Sequence, residues 1–293
     1  MARAGARPRA PHDARGLILT GYMNKVVIIT GASSGIGLSL KNKYSSSGDI
    51  VYNISRNVTE DDYNYKSDVA DENKMREIIN TIGTKHGHID ILINCAGFGV
   101  SGAIELTKSA DYDSIMSTNV KGVFVTTKLA LPYLNKGAYI INISSTCALF
   151  PVPYRGLYCA SKSAVSMLSY SLRMELKQSG IKVVTICPGE IKTNFTKNRV
   201  KNFDTNYRYG RRIADASYAI DRKDGKRMSP NVVSNKIYSI TSKNKNKPMI
   251  IIGKKMKFLY FVSKFLPLRF WLYITEKFMG GNKKFDDNPY LND

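Results

Sequence analysis

At 293 residues the chain has room for one large α/β domain or two small ones. With 43% hydrophobic and 23% charged residues it can bury a sizeable core, which excludes global disorder. Four cysteines, none in a CxxC pair, exclude a disulfide scaffold and suggest no zinc site, so reduced thiols in a cytoplasmic setting are the expectation. The 44 basic residues against 23 acidic ones, net +21, attract anions of every kind without choosing among nucleotides, nucleic acid and anionic lipid.

Residues 1–22 are rich in Ala, Arg, Gly and Pro, and at Met23 the composition shifts abruptly to Lys, Asn, Ile and Tyr. The apolar stretch Gly16–Leu19 is too short for a signal-peptide core, and an Arg-rich presequence would carry serine, which is absent. The segment reads as an appended or upstream-translated leader with the native start at Met23. Lys25–Thr30 (KVVIIT) is a buried strand running into glycines. Helical spacing follows over Ile36–Ser47, then a strand at Ile50–Ile54. Asp71–His86 is a helix with Met75, Ile78, Ile79 and Ile82 at 3–4 spacing. Ile89–Asn94 is a strand, Tyr112–Leu134 a long helix, Ala138–Ser144 a strand, Leu157–Gln178 a helix and Ile181–Cys187 a strand. Met249–Ile252 closes the series. His86 and His88, at a helix end beside glycine, suggest no metal site.

Strands alternating with helices long enough to be crossovers predict an α/β fold: a Rossmann-like, doubly wound parallel sheet of about seven strands, with helices on both faces, over residues 23–253. Ligands in such sheets sit beyond the carboxyl ends of the strands. Residues 254–293 form a basic, aromatic C-terminal arm. Within 254–279 the longest uncharged runs are six residues, far short of a membrane span, and Pro267 divides the segment into two short helices. The arm either packs on the domain or on a second subunit, or lies on anionic membrane, or covers an apolar substrate.

Thr30-Gly31-Ala32-Ser33-Ser34-Gly35-Ile36-Gly37 links the first strand to the first helix with GxxxGxG spacing. Glycines there let the backbone turn and approach a pyrophosphate whose charge rests on the helix N-terminus. Gly31, Ser33, Ser34, Gly35, Ile36 and Gly37 are therefore candidate cofactor contacts. At the end of the second strand an acid would favour NAD and a base NADP. Ser55-Arg56 stands there with no acid, so Arg56 reads as a fork for a 2′-phosphate with Ser55 hydrogen-bonding beside it, and NADP(H) is expected over NAD(H).

Tyr158 and Lys162 lie at i and i+4 on one helix face, where a cation beside a phenol favours phenolate and lowers its pKa. Tyr260/Lys264 and Tyr273/Lys277 share the spacing, so context must choose. Ser145, thirteen residues before Tyr158, ends an apolar strand; the equivalent positions for the other two are Lys247 and Tyr260. A hydroxyl and a phenol so placed can hold one carbonyl oxygen, with Ser144 the near competitor of Ser145. Phe150, Val152 and Tyr154, between the two groups, are candidate pocket walls. Residues 194–230 carry ten Lys/Arg against four Asp, with Phe195, Tyr207, Tyr209 and Tyr218 among them, and read either as a substrate loop or as a mobile solvated one.

Together with Asn94-Cys95-Ala96-Gly97, Asn119 and Pro188-Gly189, these segments closely resemble the short-chain dehydrogenase/reductase family over about residues 24–195. The family's usual NNAG is altered by Cys95. The resemblance implies that Tyr158 is the general acid of reduction and the base of oxidation. Lys162 would bind the nicotinamide ribose and tune the tyrosine, Ser145 polarise the carbonyl, and Asn119 hold a relay water. It places Asp68, with Val69, at the adenine amine, and Asn94, Ala96 and Gly97 at the cofactor floor. Pro188, Gly189, Ile191 and Thr193 would flank the nicotinamide and its phosphate. Phe195 falls where the family puts its substrate loop.

The expectation is an NADP(H)-dependent oxidoreductase acting on a carbonyl or secondary alcohol of a lipophilic steroid-, retinoid- or lipid-like molecule. A 3-ketoacyl (ACP/CoA) reductase is the nearest rival, and a non-catalytic dinucleotide sensor or membrane-associated scaffold the alternative class. No nucleic-acid-binding motif is visible. The family resemblance further implies a homodimer or homotetramer; the thiols point to a cytoplasmic setting, and the basic, aromatic segment 254–279 to peripheral membrane contact.

Overall fold

β-Branched residues dictate a strand buried on both faces. In β1 (Val26–Thr30) every residue is buried; Val26 and Ile28 join one core, Val27 and Ile29 the other. The computed structural model describes residues 24–222, 225 and 227–291, so the leader 1–22 and the start at Met23 lie outside the described residues, as do Lys223, Asp224 and Lys226 of the substrate loop. β1 pairs with β2 (Ile50–Ser55) and β4 (Ile89–Asn94), and the sheet continues through β3 (Asn64–Lys66), β6 (Leu134–Ile143), β7 (Lys182–Pro188) and β9 (Met249–Ile252). All seven are parallel, in the order β3-β2-β1-β4-β6-β7-β9. The order reverses between β1 and β4, the switch point where a ligand crevice opens.

One face is covered by α2 (Glu72–His86), α4 (Gly122–Ala130) and α5 (Gly156–Glu175), through Met75, Ile79, Val125, Leu129 and Leu172. The other is covered by α1 (Gly35–Ser45) and α7 (Pro230–Ser242), through Leu40, Tyr44, Val233, Ile237 and Ile240. Asp71 caps α2 by accepting from the Lys74 amide at 3.1 Å, which fixes the start of that helix.

Several expectations from sequence give way to tertiary effects. The long helix expected at Tyr112–Leu134 is α3 (Ser109–Met116), a π-helical turn at Ser117–Lys121, α4, and a 3-10 turn at Leu131–Tyr133. Pro132 ends the helix, and Leu134 is already in the sheet opposite Ile89, four residues earlier than the expected strand start. β3, three residues of mixed polarity, carries no apolar signal and exists because Asn53 and Ser55 pair with Asn64 and Lys66. The polar stretch 194–230 contains α6 (Arg212–Asp221), and a two-residue strand β8 (Val200–Lys201) pairs with β5 (Val100–Ser101).

Beyond β9 lie α8 (Lys254–Ser263) and α9 (Leu268–Met279), with Pro267 at the N-cap of α9 and no residue of either helix buried. The tail returns to α6: Phe285 is buried, Arg211 Nη2 donates to its carbonyl at 2.6 Å, and Asn288 Nδ2 donates to Asp215 Oδ1 at 2.9 Å. Among the described residues no helix is long and apolar enough to cross a membrane.

Candidate active site

The carboxyl ends of β1, β4 and β6 are tied together by side chains. Thr30 Oγ1 accepts from the amides of Cys95 (3.1 Å) and Ala96 (3.2 Å). Asn94 Nδ2 donates to Thr127 Oγ1 (3.0 Å) and Asn142 Oδ1 (2.8 Å), while Asn94 Oδ1 is buried without a partner. Gly31 adopts φ +73°, and a Cβ there would lie 2.8 Å from Ala96 Cα. A Cβ on Gly37 would strike the Gly31 carbonyl. Ser34, at the N-cap of α1, makes no side-chain cap bond, and the first turn holds no acid. Ser33 and Ser34 are exposed, and Ile36 is half-buried against the second core. Bare Cα atoms, uncapped amides and no negative charge are what a pyrophosphate needs, so these residues fit a dinucleotide.

Thr193 closes over Gly35, and Ile191 pairs with Met228, which carries the 189–195 segment across the glycine turn. Gly189 N donates to Ile252 O at 3.0 Å, so β9 holds the Pro188-Gly189 corner.

At the adenosine end Arg56 Nη1 lies 3.9 Å from Asp68 Oδ2, with the two side chains 59% and 41% exposed, a weak surface pair that leaves the guanidinium accessible. Asp68 Oδ1 accepts from the Ala70 amide at 2.9 Å, fixing the turn, and Val69 packs on Gly122. Ser55 departs from its expected part: it is buried and its hydroxyl donates inward to Asn53 Oδ1 at 2.6 Å, so its proton is not available to a phosphate.

Around Tyr158 the two serines divide. Ser144 Oγ donates to the Lys162 carbonyl at 2.9 Å and meets Ser166 at 2.8 Å, so it is spent on α5. Ser145 Oγ caps the next turn by accepting from Cys147 N at 3.1 Å, and it acts on the Tyr158 phenol. Lys162 Nζ donates to the Ile143 carbonyl at 2.9 Å and reaches the cofactor floor, where a Cβ on Gly97 would lie 3.3 Å from it. Burial lowers this amine to about 8.

The phenol does not behave as the i, i+4 spacing predicts. Burial pushes Tyr158 well above the ordinary 10, the charge of Cys147 adds to it, and Arg155 and Ser145 only partly oppose. The cation over its ring is Arg155, at 4.9 Å, whereas in the arm Lys264 and Lys277 do sit over Tyr260 (5.1 Å) and Tyr273 (5.8 Å). The Lys162 amine is drawn instead to a strand-end carbonyl, and Tyr158 stays protonated at neutral pH.

Asn119 lies in the π-helical turn and is fully buried. Its Nδ2 donates to Phe98 O and Ser161 Oγ, both at 3.0 Å, and its Oδ1 accepts from Phe98 N at 3.0 Å. One amide proton thus clamps the loop after β4 and the other ties to Ser161 of α5, so the side chain has none for a water. π-Turns recur where such local constraints are needed.

Of the expected pocket residues, Phe195 lies 5.5 Å from the Tyr158 ring, and Val152 and Tyr154 line a cleft of about 280 Å³ with Ile104, Gly156 and Tyr209. Phe150 does not line this cleft; it is buried and meets Trp271 of α9 at 5.5 Å. Sequence reasoning passed over Arg155, although it stands one helical turn before Tyr158, and over Trp271, the single tryptophan, which carries no motif. Cys147 was also missed as a neighbour of the phenol; its thiol is held below the ordinary range by the Cys159 thiol against burial, with help from Arg155.

Comparison with known proteins places the chain in a family. Residues 25–204 match the family model for short chain dehydrogenase. A 3-ketodihydrosphingosine reductase of Bacteroides thetaiotaomicron is 39% identical over 180 residues, 60% of this chain and 67% of that protein. A Helicobacter pylori protein described as "Probable short-chain type dehydrogenase/reductase VdlC" is 32% identical over 260 residues, 83% of this chain and 93% of its own. The crystal structure of a short-chain dehydrogenase from Streptomyces avermitilis superposes with a TM-score of 0.73 at 24% identity, covering 89% of this chain and all of that one. The chain belongs to the short chain dehydrogenase family of oxidoreductases.

Proposed function

We propose that the protein is an NADP(H)-dependent oxidoreductase that interconverts a carbonyl and a secondary alcohol on a lipophilic substrate. The observation that carries this reading is the meeting of Ser145 and a protonated Tyr158 at the carboxyl end of the sheet, where the end of β6 holds the Lys162 amine beside Gly97. In reduction the Ser145 hydroxyl orients the carbonyl oxygen, and Tyr158 delivers its proton to that oxygen as the C–O π electrons move onto it. The dihydronicotinamide, when bound, supplies the hydride that forms the new C–H bond. The Lys162 ammonium would hold the ribose hydroxyls of the dinucleotide and would return a proton toward the phenolate left behind. In oxidation the same groups act in reverse, with the phenolate as base.

Arg56, with no acid beside it on β2, supports the NADP(H) preference, acting alone since Ser55 faces inward. The lipophilic substrate is supported by the kinship with a 3-ketodihydrosphingosine reductase and by Trp271 of the arm against Phe150. Exposed Phe258, Phe261, Phe265, Phe270 and Phe278 among the arm lysines suit peripheral contact with an anionic membrane. Assembly as a homodimer or homotetramer is supported by Phe124, Met167 and Leu168, exposed on α4 and α5. The test is NADPH oxidation with a panel of ketones that includes long-chain 3-keto amines and 3-ketoacyl thioesters. Tyr158→Phe should lower kcat about 10²–10⁴-fold. Activity that survives this change refutes the chemistry.

A further inference from the structure

The tail after α9 folds back and is fastened along its length. The backbone of Gly281 lies so close to the start of α6 that a Cβ there would overlap the Arg212 carbonyl. Arg211, at the N-cap of α6, donates through Nη2 to the Phe285 carbonyl at 2.6 Å and through Nε to the fully buried Asp215 at 2.7 Å. Asn288, itself buried, joins this set by donating to Asp215 Oδ1 at 2.9 Å. Tyr290 stacks on Phe203 at 4.7 Å, accepts from Lys201 Nζ at 2.7 Å and donates to Asp221 Oδ2 at 2.7 Å. One phenol therefore joins β8 to the last residue of α6. A helix of ten residues is too short to hold itself in water, so α6 takes its place from contacts of this kind. Bonds to carboxylates are among the stronger ones, which makes the hold firm.

Each fastening leads to a wall of the cleft of about 280 Å³. Arg212 holds the turn before α6 by donating to the Tyr209 carbonyl from its amide (3.1 Å) and from Nε (3.2 Å). Tyr209 lines the cleft edge-on to Tyr154, ring centres 6.3 Å apart, and its hydroxyl donates to Glu105, beside Ile104, at 2.9 Å. β8 pairs with β5, and Gly102, Ala103 and Ile104, which follow β5, form another wall. Asn202, next after β8, donates from Nδ2 to the Leu106 carbonyl at 2.8 Å and ties that wall down. The remaining wall, Val152 to Tyr154 with Gly156, leads into α5 and Tyr158. Ile104, Val152, Pro153 and the two tyrosine rings make the lining largely apolar. The volume falls at the low end for ligand pockets, roughly 300–1,000 Å³, so the space suits a slender group.

We propose that Asn288 and Tyr290 are positioning residues that fix the walls of the substrate cleft and so restrict the group it admits to a slender, unbranched apolar chain. This rests on carbonyl reduction at Tyr158 and names the substrate class for that site. Neither residue lines the cleft. Asn288 acts through Asp215 and Arg211 on the turn that carries Tyr209, and Tyr290 acts through Lys201 and β8 on the strand that leads to Gly102. With the walls held, a straight chain is gripped along its length and a broad group is refused. With the hold lost, the turn and the two-residue strand pair open locally, so the grip weakens and the refusal goes with it.

The experiment uses the full chain with NADPH and two matched series of methyl ketones, one with straight alkyl chains of increasing length and one of equal length ending in a cyclohexyl ring. The wild type should favour the straight chain in kcat/KM by about tenfold or more. Asn288→Ala and Tyr290→Ala should each raise KM for the straight ketones about threefold to tenfold, with kcat and the KM for NADPH within about twofold, and should shrink the straight-to-cyclohexyl ratio by a similar factor. Tyr290→Phe keeps the stacking on Phe203 and should fall between Tyr290→Ala and the wild type. Tyr209→Ala should reproduce the loss of selectivity, and adding Asn288→Ala to it should change the ratio no further, because both act through one wall. Thermal melting in NADP⁺ shows which variants are folded; if Asn288→Ala is not, Tyr290→Phe and Tyr209→Ala decide. Equal turnover of both series by the wild type, a ratio untouched in the folded tail variants, or additive effects of Asn288→Ala and Tyr209→Ala overturn the positioning role while leaving carbonyl reduction standing. No turnover of any ketone by the folded, NADPH-binding protein overturns the parent reading, and the positioning role falls with it.

Discussion

Replacing Lys162 by methionine removes a buried ammonium while keeping a side chain of similar length. The amine donates to the Ile143 carbonyl at 2.9 Å, yet burial lowers it from the ordinary 10.5 to about 8. The native state is therefore penalised whenever this lysine is charged. Below pH 8 both folded and unfolded chains hold the proton and the penalty is complete. Between pH 8 and 10.5 the unfolded chain still binds a proton that the native state has released, so native stability rises with pH through that window. Worked from those two values, the wild type should gain roughly 2–3 kcal/mol relative to Lys162→Met between pH 7 and pH 10, without added dinucleotide. The assay is urea unfolding of both proteins at pH 7, 8, 9 and 10, taking the difference in unfolding free energy so that every shared titration cancels. A difference that stays flat, or that moves against the wild type as pH rises, refutes the account of a desolvated ammonium. The same result would remove the reason for placing Lys162 at the cofactor ribose as a cation that releases its proton near pH 8.

Other consequences follow from single contacts. Ser145→Ala should lower kcat about 10²–10³-fold with little change in the NADP⁺-induced melting shift, because the hydroxyl serves the substrate oxygen; an equal loss in Ser144→Ala would reverse the division between the two serines. Gly37→Ala places a methyl against the Gly31 carbonyl and 2.8 Å from Ala32 Cα, so the folded state should lose about 1–3 kcal/mol in thermal unfolding and the dinucleotide-induced shift should disappear. Arg56→Ala should raise KM for NADPH about tenfold or more and leave that for NADH nearly unchanged; parallel changes would show that Arg56 does not read a 2′-phosphate.

The local pattern of the chain was enough to place β1, β2, β4, β7 and β9, because a parallel strand buried on both faces is a near-continuous run of apolar and β-branched residues. It was enough as well for the glycine turn and for the family, because GxxxGxG, Ser145 and Tyr158/Lys162 are short-range spacings that survive in one dimension. β3 and α6 lacked such a signature: one is held by pairing with Asn53 and Ser55, the other by the tail through Asp215 and Asn288. Spacing also put the wrong cation beside Tyr158. Only the packed interior fixes where a flexible ammonium goes, and here Ile143 on the neighbouring strand takes it, Arg155 covers the ring, and burial outweighs both in setting the phenol. Asn119 likewise spends its amide protons on Phe98 and Ser161, 21 and 42 residues away. Sequence determines which groups are present and the local elements that carry them. Which donor meets which acceptor is decided by distances between segments far apart in the chain, and by the low dielectric that closes around them.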